Sequence, residues 1–378
     1  MSAVRAYAPG RTEIAGNHTD HQGGRVVAAA VSCGIEMEIE PIDGMRAHVE
    51  SEGFAPFEIA LDEGERPDEW GTTQSLVRGV VAGLRHSGVP VGGFAAKARS
   101  TVPSGGGLSS SAAFELALGA GLERLFAAAD AEPAGPVALA LIGQAAERDY
   151  FGKPCGLMDQ LAVACGGVCA FDFASPGQPE VEQIDFDLSS FGYELCLVDT
   201  HCDHSLYTQE YAQVAQDMGA VAAFMGAPML SQVPEAVFVD RFDNVRAELG
   251  DLPALRGLHY YHEMKLVDAR IGAMRAGDVS AFLDATRRSA ASSAQFLQNV
   301  STFDRASQPA MVALALCELL LEGEGAARIH GGGFGGSIQA FVPADRVASF
   351  QRQVDAHLGE GSCQAYRIAP EGARAERL

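Results

Sequence analysis

The chain has 378 residues, of which 47% are hydrophobic and 20% are charged, so it can bury two domain cores and is not expected to contain long disordered segments. With 27 basic and 49 acidic residues its formal net charge is −22, which excludes nucleic acids and anionic membrane surfaces as expected partners. An anionic substrate would therefore need a local positive site that opposes the overall field.

The first half of the chain predicts short strands and two helices. Runs rich in apolar and β-branched residues, separated by Gly, Pro and Asp, are typical of strands. The Ala- and Leu-rich stretch predicts a buried helix over 108–128, and Pro136 suits the first turn of a second helix over 136–150. The predicted strands cover 26–31, 35–39, 57–59, 93–96, 167–173 and 193–198.

The second half of the chain predicts mainly helices. Tyr207, Tyr211, Val214 and Met218 recur at spacings of three and four, which is typical of one face of a helix. The pattern indicates an α+β protein with two domains, 1–200 and 201–378, whose boundary lies near 195–205. The other predicted elements are helices over 259–275, 279–297, 309–322 and 344–358 and a strand over 337–342.

Three glycines stand directly before the serines that open the predicted helix 108–128. Glycine lets the backbone approach a ligand closely, and the first N–H groups of a helix have no partner within the helix. Together with the helix dipole they can hold a phosphate, although a glycine-rich turn with an ordinary serine N-cap is the alternative. No Lys follows the last glycine, so this is not a P-loop. The predicted phosphate-binding residues are Gly105, Gly106, Gly107, Leu108, Ser109, Ser110 and Ser111.

A second glycine-rich stretch runs from Arg328 to Ser337 and contains five glycines in six positions. Such a run has a high conformational entropy in the unfolded chain, and a simple turn needs only one or two glycines. We therefore expect another group to pack closely against the backbone of this stretch.

The segment from Gly10 to Gly24 concentrates polar side chains between glycines and is expected to be a loop. Carboxylate and amide groups can accept and donate hydrogen bonds in the directions that sugar hydroxyls require. A metal site is disfavoured because the two histidines are not four residues apart, and a solvated loop is the other alternative. The polar residues are Arg11, Asn17, His18, Asp20 and His21.

Asp159 is the candidate catalytic base. It lies between apolar residues, where an ionised carboxylate is costly unless it is paired or functional. Glu147 precedes it by twelve positions. A helix N-cap is the alternative role for Asp159.

Five segments, in this order, resemble the GHMP kinases and most closely the galactokinases among them. The stretch 10–24 resembles the galactokinase signature, 103–113 the ATP loop, and 155–160 the C-G-I-M-D-Q motif. The stretch 204–211 resembles H-S-L-x-x-S-E-Y, and 328–336 resembles the third motif, R-M-T-G-G-G-F-G-G. The resemblance covers residues 8 to 342.

The resemblance implies an N-terminal domain like domain 2 of ribosomal protein S5 and a ferredoxin-like C-terminal domain, with ATP and sugar meeting between them. It implies that the chain phosphorylates the C1 hydroxyl of a hexose, with D-galactose favoured, using ATP and Mg²⁺. By this resemblance Asp159 is the base and Arg11 its partner, and Ser111 and Glu147 are the Mg²⁺ ligands. The implied sugar-binding residues are Asn17, His18, Thr19, Asp20, Asp159 and Tyr211, and Gly331, Gly332, Gly333 and Gly335 are expected near the phosphates.

Several positions depart from the galactokinase pattern. Asn17 stands where Glu is usual, and Glu13 stands where Asn is usual; His21 replaces Tyr and His330 replaces Thr. These changes leave galacturonate, L-arabinose and N-acetylgalactosamine open as alternative sugars. A kinase for mevalonate or homoserine is a second alternative, which the 18–20 triplet and Tyr211 disfavour. A non-catalytic galactose and ATP sensor is a remote one.

The remaining features indicate an intracellular protein. The eight cysteines are scattered without zinc-site spacing, which is typical of free thiols in a reducing compartment. The N-terminus lacks an apolar core of signal length, and no run of 18 apolar residues occurs. We therefore expect a cytoplasmic protein that does not contact membranes. The oligomeric state is not visible in the sequence, and a monomer is what the resemblance to these kinases implies.

Overall fold

The computed structural model describes residues 2–103, 106–128, 131–175, 177–202, 207–302 and 304–378. Gly105 of the predicted phosphate loop and the start of the 204–211 segment lie outside the described residues.

The first sheet contains eight of the described strands, in the order β12-β1-β2-β5-β3-β4, with β6 pairing β2 and β7 pairing β6. All pairs are antiparallel except β3 with β5. The strands are β1 (Val4–Ala15), β2 (Arg25–Pro41), β3 (Arg46–Ser51), β4 (Phe57–Ala60), β5 (Phe94–Ser100), β6 (Val168–Asp172), β7 (Glu180–Ile184) and β12 (Arg374–Arg377).

The strand β1 was not predicted, and β2 is longer than either of the strands predicted within it. The predicted strands 26–31 and 35–39 form one strand, β2, whose pairing with β1 shifts register between Pro9 and Gly10. Gly34 lies opposite this shift, and a Cβ there would lie 2.5 Å from the Ala8 carbonyl oxygen. The irregularity therefore bends a continuous strand rather than ending it. The expectation that 10–24 is all loop is wrong, because residues up to Ala15 belong to β1.

Four helices belong to this half of the chain: α2 and α4 contact β1 and β2, and α1 and α3 pack on α2. Twelve of the 17 residues of α2 are buried, which explains its Ala- and Leu-rich composition. The predicted helices 108–128 and 136–150 are confirmed, the second as α3 followed by a π-helical turn over Ala146–Tyr150. The helices are α1 (Thr73–His86), α2 (Ser110–Phe126), α3 (Pro136–Ala145) and α4 (Met158–Cys165).

The second sheet has four described strands in the order β11-β8-β10-β9. They are β8 (Tyr193–Asp199), β9 (Ala326–Ile329), β10 (Ser337–Pro343) and β11 (Cys363–Tyr366). The helices of this half are α5 (Thr208–Phe224), α6 (Glu235–Asp240), α7 (Phe242–Leu249), α8 (Asp251–Ala276), α9 (Val279–Ser292), α10 (Pro309–Leu321) and α11 (Val347–Leu358). A π-helical turn, Ser293–Leu297, extends α9.

The two sheets do not divide the chain at the predicted boundary. β8, which precedes residue 200, belongs to the second sheet, and β12 at the C-terminus returns to pair with β1. Side chains of α8 and α9, including Val267 and Phe282, join the core of the first sheet. The division at 200/201 therefore stays a prediction, while the predicted α+β class is confirmed. None of the described helices is long and apolar enough to cross a membrane.

Candidate active site

The predicted motifs meet at a cavity of about 300 Å³ where β1, α4 and the turn between β9 and β10 come together. Its wall contains residues of all five predicted segments, among them Arg11, Gly107, Asp159, Tyr211 and Gly332. A larger cavity, of about 710 Å³, lies where β7 approaches β8 and contains none of the predicted residues. The chemistry of the wall, rather than the volume, therefore identifies the site.

Asp159 lies in the first turn of α4 and is held at two points by Arg11 of β1. The Arg11 Nε–Asp159 Oδ1 distance is 2.6 Å and the Nη2–Oδ2 distance is 2.7 Å. The Ser109 hydroxyl also donates to Oδ2. Burial raises the pKa of this carboxyl, but the Arg11 charge and these hydrogen bonds outweigh it and hold the pKa below its ordinary value. With 31% of its side chain exposed, Asp159 presents an ionised carboxylate to the cavity.

Arg11 also connects the base to the glycine–serine loop. Its Nη1 donates to the Gly107 carbonyl oxygen, and its backbone N–H donates to Leu108 O at 3.1 Å. One guanidinium therefore fixes the candidate base relative to the predicted phosphate loop.

The two glycine-rich segments, which the resemblance places near the same phosphates, lie against each other. Ser337 Oγ donates to Gly106 O at 3.3 Å and lies 3.0 Å from His330 Nδ1. A Cβ on Gly107, whose φ is 71°, would lie 3.3 Å from that same Nδ1 atom. A Cβ on Gly333, whose φ is 85°, would overlap the Asn299 carbonyl oxygen. At these two positions the close approach explains the glycine.

His330 joins the second glycine-rich segment to β1. Its Nε2 lies 3.0 Å from Thr12 Oγ1, and the side chain is 4% exposed. Burial, together with the charges of Arg11 and Arg328, lowers its pKa to about 3. The imidazole is therefore neutral at physiological pH and serves as a hydrogen-bonding spacer.

The loop after β1 carries the predicted sugar-binding side chains. His18 adopts the left-handed backbone conformation, with a φ of 59°. The distance from its Nε2 atom to Gly332 O is 2.9 Å. Its ring packs 5.2 Å from that of Tyr211, which is half exposed at the cavity. Burial, with the neighbouring His21, lowers the pKa of His18 to about 3. Asp20 also lines the cavity, beside the backbone of Gly156.

Asn17 and Thr19 are buried, and their side chains form hydrogen bonds to other groups of the protein. The Asn17 amide donates to Gly331 O at 2.5 Å, and its Oδ1 accepts from Asn299 Nδ2 at 2.8 Å. The Thr19 hydroxyl lies 2.9 Å from Gly16 O and 2.8 Å from Arg25 O. Asn17 lines the floor of the cavity, whereas Thr19 does not reach it. The structure thus does not bring the Thr19 side chain to the sugar site that the resemblance implies.

Ser111 and Glu147, the predicted metal ligands, are in contact. Ser111 Oγ donates to Glu147 Oε1 at 3.1 Å, and Gln160 Nε2 donates to Oε2 at 2.8 Å. Hydroxyl and carboxylate oxygens are the hard ligands that Mg²⁺ prefers. No cluster of three or more His, Cys, Asp or Glu ligands occurs in the part of the chain that the structure describes. The pair therefore fits an ion that takes its other ligands from phosphates and water.

Sequence reasoning missed a buried charge network beneath the site. Arg328 donates to Glu13 at 2.6 Å, and Arg270 donates to Glu263 at 2.6 Å, with all four side chains almost fully buried. Glu263 also accepts from the Gly16 N–H at 3.2 Å. Burial raises the pKa of Glu263, but Arg270, His259 and Arg328 outweigh it and lower it to about 2. The network anchors the start of the sugar loop.

Two further site residues were not predicted. Lys153 Nζ lies 2.9 Å from Glu147 Oε1 and lines the cavity. Glu115, on α2, accepts from Gln160 Nε2 at 3.2 Å. Burial and the nearby Glu147 raise the pKa of Glu115 well above its ordinary value. The available signal for Glu115 was an acid within the otherwise apolar run 112–122 of α2.

Comparisons with known proteins agree with this geometry. A family described as the GHMP kinases N terminal domain matches residues 75–167, and the galactokinase galactose-binding signature matches residues 2–41. A galactokinase of Streptomyces coelicolor is 31% identical over 377 residues, which cover 98% of this chain and 93% of that protein.

Solved structures show the same fold. The structure of Lactococcus lactis galactokinase complexed with galactose has a TM-score of 0.84 at 24% identity and covers 100% of this chain and 95% of that one. A mevalonate kinase has a TM-score of 0.69 at 13% identity, with 97% of this chain and 99% of that one covered. The predicted GHMP kinase fold is confirmed. The chain is a kinase that belongs to the galactokinase family of the GHMP kinases.

Proposed function

We propose that this protein transfers the γ-phosphoryl group of ATP to the C1 hydroxyl of D-galactose. The match to the galactose-binding signature and the 31% sequence identity to a galactokinase over almost the whole chain support galactose as the substrate. The observation that carries the mechanism is the placement of Asp159, which receives hydrogen bonds from Arg11 and from Ser109 of the phosphate loop. One carboxylate therefore faces a cavity that also contains the sugar-loop side chains.

Asp159 accepts the proton in this proposal. The C1 oxygen forms a bond to the γ-phosphorus, the bond from that phosphorus to the β,γ-bridging oxygen breaks, and ADP leaves. The hydroxyl proton passes to Asp159. A carboxylate whose pKa is held low by Arg11 is a weak base, which suits a loose transition state in which the hydroxyl loses its proton late. Arg11 keeps this carboxylate ionised and oriented.

The glycine-rich loop and the N-terminus of α2 receive the phosphates in the proposed complex. The first backbone N–H groups of α2, which begins at Ser110, have no partner within the helix, and the helix dipole favours an anion there. Ser111 and Glu147 would hold Mg²⁺, which neutralises charge on the β- and γ-phosphates when bound. The remaining predicted phosphate contacts, Gly331, Gly332, Gly333 and Gly335, lie in the opposing turn.

The sugar pocket is proposed to consist of His18, Asp20, Tyr211 and Asp159 around the floor that Asn17 provides. The amide of Asn17 already has partners in Gly331 and Asn299, so it shapes the floor more than it offers a free hydrogen bond. Galacturonate, L-arabinose and N-acetylgalactosamine remain the competing substrates because the exchange at positions 13 and 17 alters this floor.

An acceptor panel tests the proposal. The purified protein is incubated with ATP and Mg²⁺ and with each of galactose, galacturonate, L-arabinose, N-acetylgalactosamine and mevalonate, and sugar phosphate is identified by ³¹P NMR. We expect galactose 1-phosphate, and at least about 100-fold less turnover with Asp159→Asn. Preference for another acceptor in kcat/KM would overturn galactose, and ATP binding without any transfer would favour the sensor.

A further inference from the structure

Lys153 is a cation at the cavity that the proposed mechanism leaves without a task. Its Nζ lies 2.9 Å from Glu147 Oε1, the same oxygen that accepts from Ser111 Oγ. Because Ser111 is the other proposed metal ligand, we take Oε1 as the Glu147 oxygen that would contact the metal ion. An ammonium group and Mg²⁺ would repel each other strongly if both stayed on one carboxylate oxygen. Binding of a metal ion at Glu147 therefore requires the Lys153 ammonium group to leave Oε1 and donate to another acceptor.

The backbone around Lys153 is fixed, so only its side chain needs to move. The Lys153 N–H donates to the Glu147 carbonyl oxygen at 3.1 Å, which closes the turn after the π-helical segment. Gly152, with a φ of 80°, precedes it and lies so close to the Trp70 ring that a Cβ would stand 2.5 Å from Cε3. Pro154 restricts the chain on the other side. The Lys153 side chain, in contrast, is 58% exposed.

When ATP is bound, the cavity needs a positive charge that Arg11 is not free to supply. Among the cavity-lining residues that the structure describes, Arg11 and Lys153 are the Arg and Lys side chains. Arg11 is committed to Asp159 and to the Gly107 carbonyl. The triphosphate of ATP brings several negative charges into a protein whose net charge is −22. Once a metal ion occupies Glu147, Lys153 is the lysine whose charge is released toward those phosphates.

We propose that Lys153 is a phosphate-binding residue of this kinase, whose ammonium group neutralises Glu147 in the free protein and moves to the terminal phosphate when the nucleotide enters. The four-carbon stem of lysine lets the charge shift without moving the backbone. This exchange keeps Glu147 paired and oriented before loading and supplies a positive charge to the transferred group afterwards. The role does not depend on which sugar the kinase accepts.

Nucleotide binding without any sugar tests the exchange. Isothermal titration calorimetry measures the affinities of a non-hydrolysable ATP analogue and of ADP, each with Mg²⁺, for the wild-type protein and for Lys153→Met and Lys153→Arg. We expect Lys153→Met to bind the triphosphate at least about tenfold more weakly and ADP less than about threefold more weakly, because a charge-assisted hydrogen bond to the terminal phosphate is lost. Lys153→Arg should retain most of the affinity for the triphosphate.

Lys265→Met is the matched control. Lys265 forms an exposed ion pair with Glu235 at 2.6 Å on the helices of the second half, and it does not line the cavity. Its replacement removes the same charge and should leave both nucleotide affinities unchanged. Because the Lys153 side chain is more than half exposed, its truncation leaves no core cavity, and matching unfolding temperatures confirm that the variants are folded.

A second measurement separates phosphate binding from a merely structural role at Glu147. Mn²⁺, followed by its EPR signal, should bind the nucleotide-free Lys153→Met protein more tightly than the wild type, because no ammonium competes for Oε1. Equal losses of ADP and triphosphate affinity, or no loss of either, would overturn the proposal. Unchanged or weaker Mn²⁺ binding would equally contradict the exchange, whatever the sugar assay shows.

Discussion

Arg11 and Asp159 stand 148 residues apart in the sequence and form a two-point ion pair, with distances of 2.6 and 2.7 Å between their paired atoms. This planar pairing fixes both the direction of the carboxylate and its charge. Because the same guanidinium donates to the Gly107 carbonyl, the pair also sets the distance from the acceptor site to the phosphate loop. The proposed chemistry depends on this one relationship.

Replacing Arg11 should change the pH dependence of the reaction as well as its rate. Burial raises the pKa of Asp159 and Arg11 lowers it, with a net depression in the native protein. Without the guanidinium, only the Ser109 hydrogen bond and the Lys153 charge still oppose the effect of burial, so the pKa of Asp159 rises. We expect Arg11→Met to move the acidic limb of the kcat/KM profile to higher pH and to reduce kcat by at least about tenfold. Steady-state kinetics between pH 4 and pH 9 measure both effects.

Arg5→Met on the same strand is the control for that experiment. Arg5 forms an exposed ion pair with Glu38 at 3.3 Å and lies away from the cavity. Its replacement should leave the pH profile unchanged. An Arg11→Met enzyme whose acidic limb coincides with that of the wild type would contradict the assigned role of Asp159 as the ionised base.

The buried pair Glu263 and Arg270 should contribute strongly to stability. Both side chains are 0% exposed, and removal of one partner leaves the other charge uncompensated. We expect Glu263→Gln to lower the free energy of unfolding by about 3–5 kcal/mol. Glu235→Gln, which breaks the exposed pair with Lys265, should change it by less than about 1 kcal/mol. Chemical denaturation followed by circular dichroism compares the two, and equal effects would contradict the buried-pair argument.

The same pair predicts part of the acid sensitivity of the fold. The pKa of Glu263 is about 2 in the native protein, against 4.5 as its ordinary value. A carboxyl with a depressed native pKa stabilises the fold above its unfolded-state pKa, and this contribution is lost as the pH falls from about 4.5 toward 2. Unfolding curves of Glu263→Gln should therefore lose less stability across that window than those of the wild type. A parallel decline of the two proteins would show that other groups control this range.

Gly332 should prove important for the sugar site rather than for the fold. A Cβ there would overlap the ring of Tyr211, a half-exposed side chain that can turn aside. We expect Gly332→Ala to raise the KM for the sugar several-fold and to lower the unfolding free energy by about 1 kcal/mol or less. Gly331→Ala is the matched control, because a Cβ there meets nothing within 4 Å although its φ is 63°. Gly331→Ala should add about 1 kcal/mol of backbone strain and leave the KM for the sugar unchanged. Kinetics with varied sugar separate the two variants, and an unchanged KM in Gly332→Ala would exclude Tyr211 from the sugar wall.

The extent to which the sequence predicted the site differs from residue to residue. The loop at 105–111 carried its own signal, because glycines before a helix let an anion approach the N–H groups of its first turn. The partnership of Arg11 with Asp159 came only from the resemblance, since no local pattern joins two residues on different elements. Glu263 and Arg270 lie within a helix whose charges look like those of a solvated face, and their burial depends on contacts with Gly16 and Ile14 in β1 and the loop after it.

The strand pattern failed for a different reason. A glycine inside an apolar run favours a break between strands, and the pattern accordingly predicts two strands, 26–31 and 35–39, on either side of Gly34. In the structure it permits a shift of register within β2, which then continues to Pro41. The difference is set by the partner strand, whose Ala8 carbonyl occupies the space that a side chain would need. Only the folded pairing of β1 with β2 contains that information.

The acid at position 13 and the amide at position 17 should behave as an exchanged pair. Asn17 Nδ2 lies 3.4 Å from Glu13 Oε1, so the two side chains share one buried space. Arg328 Nη2 donates to the same Glu13 oxygen at 2.6 Å. Asn17→Glu alone would place two carboxylates there and would set one of them against the Gly331 carbonyl oxygen. We expect this single variant to lose stability by about 2 kcal/mol or more and to bind sugar poorly.

The double variant Glu13→Asn with Asn17→Glu keeps one acid and one amide, and it should recover at least about 1 kcal/mol relative to Asn17→Glu. A double-mutant cycle of unfolding free energies, with the sugar KM measured in parallel, provides the test. Additive effects would mean that the two positions vary independently and that the Asn17 floor alone sets the sugar preference.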